Sequence, residues 1–427
     1  MKSNNNEILP QGYKMTELGP LPEEWEVVRL GEVAEYVNGY AFKPAQWKKK
    51  GLSIIRIQNL TQTTNEINYF DGKLDKKYLV KKGDILISWS ASLGVFEWKR
   101  SDAWLNQHIF KVVNYSKKIL KEYFYYAVMT KIEFMKNKTH GSTMHHITKK
   151  EFLTVKLPLP PLPQQQKIAA VVSAVQEAKE KTQAVIDATK ALKKSMMKHL
   201  FTYGPVPLEV TENVPLKETE IGKVPEEWEV VKFGEVTEKT KQKDPRRDSN
   251  TEFKYVDVSA ISNDALKITS YSEFLGKDAP HRARKAIQTD DIIFTTVRPY
   301  LKRIAIVPEN LNGQIASTAF CVIRCKKQIV NPYYIFYTVG LDNFVNRVTE
   351  NQRGSSYPAV TDKDILNQYV PLPPLPVQQK IASILSAIDD KIEAEENKKK
   401  AIEELFKTIL HNLMTAKIRV NHLEINV

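Results

Sequence analysis

The sequence predicts an α+β protein built from two similar globular α/β domains in tandem, each followed by a long helix. The main observation is a repeat: residues 17–33 return at 220–236 with 12 identities in 17 positions, and residues 158–174 return at 371–387 with 13 in 17. The stretches between the repeated ends differ from each other, and a long helical pattern follows each second segment. A shared frame around two unlike inserts suits the recognition of two different targets.

Within each repeat, the elements follow one another in the same order. Each copy opens with Pro-Glu-Glu-Trp-Glu-Val-Val, which predicts a turn and a short strand that ends near Gly31 or Gly234. Short apolar runs then predict two buried strands in each repeat, and each has an equivalent in the other repeat. The later of these two strands is followed by an aromatic-rich helix. The strand pairs are 83–88 with 291–296 and 110–113 with 320–323, and the helical segments contain 123–126 and 333–337.

These signals divide the chain into seven segments. They are an N-terminal tail (1–20), a first domain (21–157), a proline-rich hinge with the central long helix (158–203), a linker (204–223), a second domain (224–370), a second hinge with the C-terminal long helix (371–416) and a C-terminal tail (417–427).

Each long helix carries an apolar stripe with a seven-residue period, which needs a partner helix, and the other repeat offers one. No glycine or proline interrupts either helix for roughly 37 residues, so each spans about 55 Å. Glu395 and Lys399 interrupt the second stripe, so we expect looser or partner-dependent packing there. The predicted seam consists of Ile168, Val171, Val175, Val185, Leu192 and Met196 in the first helix and Ile381, Leu385, Ile388, Ile392, Ile402, Phe406 and Ile409 in the second.

Composition limits the class of protein. The net charge of +13 favours a polyanionic partner, most often nucleic acid, and the charge is uneven: +9 over residues 21–157 but only +2 over 224–370. The two cysteines, Cys321 and Cys325, fit a strand in a protein of a reducing compartment. Because no stretch approaches 18 apolar residues, we expect a soluble cytoplasmic protein without a membrane partner.

Signals for catalysis or metal binding are weak. Asn331-Pro-Tyr-Tyr334 is close to a motif of amino-group DNA methyltransferases, but it lacks the second proline and no glycine-rich cofactor loop accompanies it. We interpret Asn331 as a helix N-cap followed by proline. His140, His145 and His146 have no further ligand at metal-binding spacing. The sequence therefore predicts no catalytic residue, no metal site and no cofactor bound by this chain.

Signals for nucleic-acid binding are stronger, because polar, cationic and aromatic residues cluster in loops at equivalent places of the two repeats. Lysines neutralise phosphates, hydroxyls and imidazoles hydrogen-bond them, and arginine reads guanine in the major groove. The candidates in the first repeat are Asn38, Tyr40, Lys43, Lys48, Lys49, Lys50, Ser88, Ser90, Ser92, His140, Ser142, Thr143, His145 and His146. Those in the second repeat are Lys241, Lys243, Arg246, Arg247, Arg298, Tyr300, Lys302, Arg303, Arg353, Ser355, Ser356 and Tyr357.

The chain resembles the specificity (S) subunits of type I restriction–modification systems over nearly its full length. The resemblance rests on the repeated Pro-Glu-Glu-Trp-Glu-Val-Val, the strand at Lys82-Gly83-Asp84, the Gly-Ser turns and, above all, the duplicated Pro-Leu-Pro-Pro-Leu-Pro-x-Gln-Gln-Lys-Ile before each helix. It implies two target recognition domains that each read half of a split double-stranded DNA target. It also implies that the helices form an antiparallel coiled coil with pseudo-two-fold symmetry, which acts as a spacer and as a platform for partners.

The same resemblance implies the partners. They are two methyltransferase (M) subunits, which bring S-adenosylmethionine and modify adenines, and restriction (R) subunits, which translocate and cut. This chain itself is then a non-catalytic DNA-binding subunit. Two alternatives stay open from the residues alone: a coiled-coil interaction scaffold whose basic surface is incidental, and, with less support, a stand-alone DNA-modifying enzyme.

Overall fold

The computed structural model describes residues 9–138, 148–356 and 358–424, with the backbone alone for residues 134–138. The chain forms two compact units. Unit 1 consists of Met1–Thr182 and Lys398–Val427, and unit 2 of Gln183–Asn397. Each unit therefore contains one globular domain and half of each of the two long helices.

The elements of the first repeat combine short strands with helices of very different length. Its strands are β1 (Tyr13–Thr16), β2 (Gly19–Pro22), β3 (Glu26–Arg29), β4 (Glu35–Asn38), β5 (Leu52–Ile55), β6 (Asn68–Phe70), β7 (Leu79–Val80), β8 (Ile85–Ser88), β9 (Gly94–Glu97), β10 (Ala103–Leu105), β11 (Ile109–Val113) and β12 (Lys156–Leu159). Its helices are α1 (Leu30–Val33), α2 (Ile57–Leu60), α3 (Lys121–Lys138), α4 (Lys149–Leu153) and the long α5 (Leu162–Tyr203).

The second repeat has the same plan with additional short strands. Its strands are β13 (Leu216–Thr219), β14 (Gly222–Pro225), β15 (Glu229–Lys232), β16 (Thr237–Glu238), β17 (Glu252–Val256), β18 (Ile261–Ser262), β19 (Lys267–Ile268), β20 (Ser272–Leu275), β21 (Ala283–Ala286), β22 (Ile292–Thr295), β23 (Ile304–Ile306), β24 (Ile315–Ser317), β25 (Phe320–Cys325) and β26 (Tyr369–Leu372). Its helices are α6 (Pro332–Gly340), α7 (Asp342–Glu350), α8 (Asp362–Leu366) and the long α9 (Leu375–Met414).

Short segments of 3-10 helix connect several of these elements. They are Pro44–Gln46, Lys76–Tyr78, Leu208–Asn213, Phe233–Val236, Pro245–Arg247, Val258–Ala260, Gly276–Asp278, Pro299–Leu301 and Glu309–Leu311.

The two units share one sheet topology. In unit 1 an antiparallel sheet runs β4-β11-β8-β9, and a mixed sheet runs β6-β5-β10-β7 with β5 and β10 parallel. In unit 2 the matching orders are β16-β25-β22-β23 and β20-β17-β24-β21, again with one parallel pair, β17 and β24. The predicted strands at 83–88, 291–296, 110–113 and 320–323 are confirmed as β8, β22, β11 and β25. The α+β fold class is confirmed.

The repeated residues make the same contacts in both units, which explains why they recur. Gln165 and Gln378 are fully buried at the start of α5 and α9. The Gln165 amide accepts from the Leu120 N–H at 2.8 Å and donates to two carbonyls, and the Gln378 amide does the same with the Asn331 N–H at 2.9 Å. Each buried amide is thus satisfied, and it fixes the start of a long helix to its domain.

A buried tyrosine fastens the hinge in each unit in the same way. The Tyr123 hydroxyl donates to the carbonyl of Pro158 at 2.7 Å, and the Tyr334 hydroxyl donates to that of Pro371 at 3.0 Å. The predicted N-cap is confirmed as well, since the side chain of Asn331 accepts from the Tyr334 N–H and Pro332 opens α6. The Asn-Pro-Tyr-Tyr sequence is therefore the start of a helix.

The seam of α5 differs from the prediction in one of its two rows. Val185 and Leu192 are 41% and 51% exposed, whereas Ile186 is only 2% exposed. The row of residues that starts at Ile168 lies in the seam as predicted. In the other row, each seam residue lies one position further along the chain than predicted. The buried or half-buried rows are Ile168, Val175, Thr182, Thr189 and Met196, and Val172, Lys179, Ile186, Lys193 and Leu200; Val171 is half-buried beside the unit 1 core.

Charge pairing explains this shift. Lys179 and Lys193 occupy seam positions, yet their ammonium groups reach the carboxylates of Glu403 (3.4 Å) and Asp389 (2.6 Å) on α9. The aliphatic stem of a lysine can be buried while its charge is neutralised at the tip. A search for apolar residues alone passes over these lysines and selects their neighbours.

The seam of α9 follows the predicted positions. Glu395, only 8% exposed, lies in the same stripe and accepts a hydrogen bond from Lys391, so the interruption is polar but buried. Buried members of the predicted set are Ile381, Leu385 and Ile392, and half-buried members are Ile388, Ile402, Phe406 and Ile409.

Within each unit, residues later in α5 contact residues earlier in α9, as in antiparallel helices. In unit 2 the ion pairs are Lys190 with Glu396 and Lys193 with Asp389, both at 2.6 Å, so the two helix halves are antiparallel there. In unit 1 the start of α5, at Ile168 and Val172, belongs to the same core as Leu410 and Leu413 near the end of α9.

The first described strand and the residues after α9 both pack in unit 1. Residues 13–16, assigned to a tail from the sequence, form β1, which pairs with β2. The Tyr13 hydroxyl donates to the carbonyl of Ala416 at 2.7 Å, and Val420 is 2% exposed within the same core. No helix in the described ranges is both long and apolar enough to cross a membrane.

Candidate nucleic-acid interface

In unit 1, the polar residues that follow β4 lie against the turn between β10 and β11. The Tyr40 N–H donates to the carbonyl of Leu105 at 2.9 Å, and the Tyr40 carbonyl accepts from the Gln107 N–H at 2.9 Å. A Cβ on Gly39 would lie 1.8 Å from the carbonyl oxygen of Asn106, so only glycine permits this close approach. Asn38 accepts a hydrogen bond from the Trp89 ring N–H at 3.3 Å.

The predicted lysines of unit 1 lie on the surface beside an aromatic cluster. The Tyr40 ring packs edge-on against Phe42 (4.9 Å between centroids) and Tyr78 (5.7 Å). The backbone of Lys48 pairs with that of Tyr69 at the edge of β6. Lys43, Lys48, Lys49 and Lys50 are all exposed. This arrangement of exposed cations over packed aromatics can bind a phosphate backbone.

The predicted hydroxyls after β8 are for the most part structural. Ser88 and Ser90 are 1% and 6% exposed, and the Ser88 hydroxyl donates to the carbonyl of Ser92 across the turn before β9. Burial removes these two hydroxyls from a DNA surface, and only Ser92 remains exposed. His140, Ser142, Thr143, His145 and His146 lie outside the described residues, as does Tyr357 of the second repeat.

In unit 2, the segment 241–247 extends the edge of β21. The backbone of Gln242 pairs with that of Lys285 in an antiparallel β-bridge, and the Lys243 N–H donates to the carbonyl of Arg284 at 2.9 Å. This places the exposed residues Lys241, Lys243, Arg246 and Arg247 beside the basic run of β21.

Arg246 is held by its neighbour Asp244. Its guanidinium makes two hydrogen bonds to this carboxylate, at 3.1 and 3.0 Å, and they lower the pKa of Asp244 to about 2. Near-neutral pH thus leaves the pair fully charged. Its net charge is zero, so Arg246 adds less positive charge to this edge than Lys241, Lys243 and Arg247 do.

The structure brings together two further predicted loops of unit 2. Arg298 adopts a left-handed backbone conformation (φ 51°), and its N–H donates to Pro358 at 2.8 Å. Its guanidinium donates to the carbonyl of Ser356 at 3.3 Å. The backbone of Ala359 forms antiparallel β-bridges with both Val297 and Arg353. Arg298, Tyr300, Arg353, Ser355 and Ser356 are exposed together on these loops. A left-handed non-glycine residue is costly and often marks a functional position.

Two predicted cations of unit 2 have internal partners. Lys302 forms an ion pair with Asp342 and donates to the carbonyl of Gly340 at 3.1 Å, so it ties α6 to α7. Arg303 donates to the carbonyl of Val258 at 2.7 Å. Both side chains stabilise unit 2 through these internal contacts.

The sequence analysis missed polar residues that share these edges. In unit 1 they are Asn106, Gln107 and His108, whose signal is a polar triplet between two apolar strands. In unit 2 they are His281 and Arg282, exposed just before β21. Within the part of the chain that is described, no group of three or more metal-ligating side chains comes together.

Comparison with known proteins identifies the family. The family model for the type I restriction modification DNA specificity domain matches residues 22–188 and 225–404. The chain belongs to this family. The two matches coincide with the two repeats, so this specificity subunit has two target recognition domains in tandem.

Relatives match along almost the whole chain. The specificity subunit of type I restriction enzyme MjaVIII from Methanocaldococcus jannaschii is 29% identical, over 94% of this chain and 95% of its own. The specificity subunit of type I restriction enzyme EcoBI from Escherichia coli is 23% identical, over 92% of this chain and 86% of its own. The crystal structure of the type I S subunit from M. genitalium has the same fold, with a TM-score of 0.58 at 15% identity, and covers 97% of this chain and 98% of its own.

Membership defines the general role of this specificity subunit. Specificity subunits are the non-catalytic recognition components of type I restriction systems, and they act in complex with modification and restriction subunits on DNA. The role of this chain is therefore to recognise a DNA sequence. The basic loops of the two units are the candidate surfaces for that role.

Proposed function

We propose that each unit reads one half of a split double-stranded DNA target. The observation that carries this proposal is the repeated topology with unlike surface loops. The connection between β4 and β5, which begins after Asn38, carries Tyr40 and Lys48–Lys50 in unit 1, and the equivalent connection between β16 and β17 carries Lys241–Arg247 in unit 2, where Arg298 and Arg353 lie on two further loops. Equal frameworks with different side chains would position two readers of different base sequences.

We propose that the long helices set the unread gap between the half-sites. α5 has 42 residues and α9 has 40, so they extend for about 63 and 60 Å. Half-sites on one face of DNA repeat every 34–36 Å or so. Removing one heptad from each helix, about 10 Å, preserves the seam pattern and should shorten the gap without altering either half-site. A methylated motif with an unchanged gap would exclude the helices as its determinant.

We propose that the exposed side of the helices binds two methyltransferase subunits, with restriction subunits joining the assembly. On α5, Val185 and Leu192 are 41% and 51% exposed, and on α9 Leu405 is 48% exposed. Apolar side chains at the surface of a two-helix seam fit the docking of further helices. S-adenosylmethionine belongs to the methyltransferase subunits in this proposal, and adenine is the base they modify.

The docking proposal predicts different effects for substitutions at Val185 and at Asp187, two residues further along α5. Val185→Glu should leave the thermal unfolding midpoint of the chain nearly unchanged but weaken its co-purification with the methyltransferase. The matched control is Asp187→Glu, an exposed change on the same turn that adds no charge. If Val185→Glu and Leu192→Glu both assemble normally, this face is not the docking surface.

The decisive experiment is methylome sequencing of a modification-free host that expresses this chain together with its cognate methyltransferase. A split adenine-methylated motif that disappears when the chain is omitted supports the proposed function. An assembled complex that methylates no motif contradicts it.

Domain exchange tests the assignment of one unit to one half-site. Replacing residues 37–150 with the equivalent segment of another specificity subunit should change one half of the motif only. A change in both halves would show that the units do not read independently.

The lysines at 48–50 test the contribution of phosphate contacts. Each phosphate contact contributes about 0.9 to the slope of log affinity against log salt concentration, so changing all three to glutamine should reduce the slope by up to about 2.7. Lys223→Gln, an exposed residue of strand β14, is a control that should leave the slope unchanged. An unaltered slope in the triple variant would mean that these lysines do not contact DNA.

A further inference from the structure

The turn between β10 and β11 in unit 1, Asn106–His108, is held in one position by the surrounding backbone. The backbone of Tyr40 makes one hydrogen bond to the carbonyl of Leu105 and one to the N–H of Gln107, on either side of Asn106. The Trp89 N–H donates to the carbonyl of His108 at 3.2 Å. The absence of a side chain at Gly39 allows the chain to lie directly against the Asn106–Gln107 peptide. A turn fixed by contacts from the residues that follow β4 and β8 presents its side chains with little freedom, as a reading element requires.

His108 adds strain to this rigid turn. It has a φ of 68°, which is unusual for a residue with a side chain, and its ring packs against Trp89 with 4.9 Å between centroids. The same Trp89 ring donates to Asn38, so three side chains of the edge lock one another. Surroundings that impose such a conformation are characteristic of functional sites.

Gln107 stands at the centre of this turn with its side chain uncommitted. Its main-chain N–H is bonded to Tyr40, its side chain is half-exposed, and among the described residues its amide has no hydrogen-bonding partner. A free amide on a turn that is held in one position suits the edge of a base.

Unit 2 has a turn at the equivalent place, between β24 and β25, but neither Thr318 nor Ala319 has the positive φ of His108. There the Thr296 N–H donates to the carbonyl of Ala319 at 2.8 Å, the equivalent of the bond from Trp89 to His108. Thr318 and Ala319 lie between β24, which ends at Ser317, and β25, so a threonine stands in the place of Gln107. An amide side chain is therefore present at this position in unit 1 only.

We propose that Gln107 is the residue of unit 1 that reads an adenine in the major groove of its half-site. Its amide donates to N7 of the adenine and accepts from the N6 amino group, the bidentate pairing that glutamine makes with this base. Asn38, Trp89 and His108 are positioning residues that hold the turn. This inference rests on the proposed function, because it names the chemistry by which one unit recognises its half-site.

The test uses the complete chain assembled with its methyltransferase, and duplexes that carry its methylated motif with 7-deazaadenine at one adenine at a time. This base lacks the N7 acceptor. The wild-type complex should lose roughly 10-fold in affinity at one adenine of a single half-site. The Gln107→Ala complex should bind the natural duplex with a similar loss and show no further loss at that adenine.

Two other variants sharpen the result. Gln107→Glu keeps the shape but cannot donate, and it should shift the preferred base from adenine towards cytosine, whose amino group a carboxylate accepts. Thr318→Val, at the equivalent position of unit 2, should leave the sensitivity to 7-deazaadenine in the Gln107 half-site unchanged. The backbone bonds of Gln107 persist in each of its variants, so equal unfolding midpoints are expected.

The outcomes separate this inference from the function on which it rests. If Gln107→Ala binds like wild type, or if its losses with 7-deazaadenine equal those of wild type at every adenine, Gln107 does not read adenine. If the wild-type complex shows no preference for any motif over random DNA, the proposed function itself fails.

Discussion

The register of the α5 seam leads to a sharp prediction, because the two candidate seam residues are adjacent. Ile186 is 2% exposed and Val185 is 41% exposed. Truncation to alanine at each position removes a β-branched side chain from the same helical turn, so the change in helix propensity is nearly the same for both. The difference between the two variants therefore measures burial.

The expected magnitude follows from that burial. Isoleucine to alanine in a closed core costs about 2–5 kcal/mol, and the seam around Ile186 contains Thr182, Thr189 and Lys193, so a value near the lower end applies. An exposed truncation stays within about 0.5 kcal/mol. The difference is then about 2 kcal/mol, which lowers the unfolding midpoint by about 4–8 °C for a unit of this size.

Thermal unfolding followed by far-ultraviolet circular dichroism measures both variants against wild type. Ile186→Ala should unfold several degrees earlier, while Val185→Ala should stay within about 2 °C of wild type. Equal shifts, or a larger shift for Val185→Ala, would refute the shifted seam and restore the register expected from apolar residues alone.

Three other predictions concern unit 2. Asp291, 2% exposed, accepts two hydrogen bonds from Arg324 at 2.9 and 2.7 Å, so Asp291→Ala should cost about 3 kcal/mol and lower the unfolding midpoint by about 6–12 °C. Burial raises the pKa of the Cys321 thiol, and it raises the pKa of the Cys325 thiol to about 12. A thiol reagent at pH 8 should therefore label neither cysteine in the folded chain and both after denaturation. Labelling of the folded chain would contradict their burial. Hydrogen bonds from the N-cap of α8 hold the pKa of Asp364 below its ordinary 3.8, so its stabilising effect is present above that pH and disappears as pH falls through the lowered value. The difference in midpoint between wild type and Asp364→Ala should be constant from pH 7 to 5 and shrink below about pH 4; a difference independent of pH would exclude this linkage.

Surface function was only partly accessible from the sequence. Lysine and arginine in loops mark candidate DNA contacts, but the pattern does not show which of them have an internal partner. Lys302 pairs with Asp342, 40 residues later, and Arg303 bonds a carbonyl 45 residues earlier. The turn at Asn106–His108 carries little charge, so a search for basic loops passes over it.

The sequence by itself determined the repeated framework and its main elements. Identical residues recur because they make identical local contacts: Gln165 and Gln378 fasten each long helix, and Tyr123 and Tyr334 fasten each hinge. Short apolar runs fixed the buried strands, since a strand covered on both faces needs little information beyond its own residues.

Only the tertiary structure decided which residues of α5 face α9 and which polar side chains remain free to bind DNA. Both depend on partners far apart in the chain. Lys193 can occupy the seam because Asp389 neutralises it at 2.6 Å. Ser88 is buried because its hydroxyl donates a hydrogen bond to the backbone carbonyl of Ser92 within a closed turn. Hydrophobic patterning describes the average cost of burial, whereas a specific partner changes that cost for one residue.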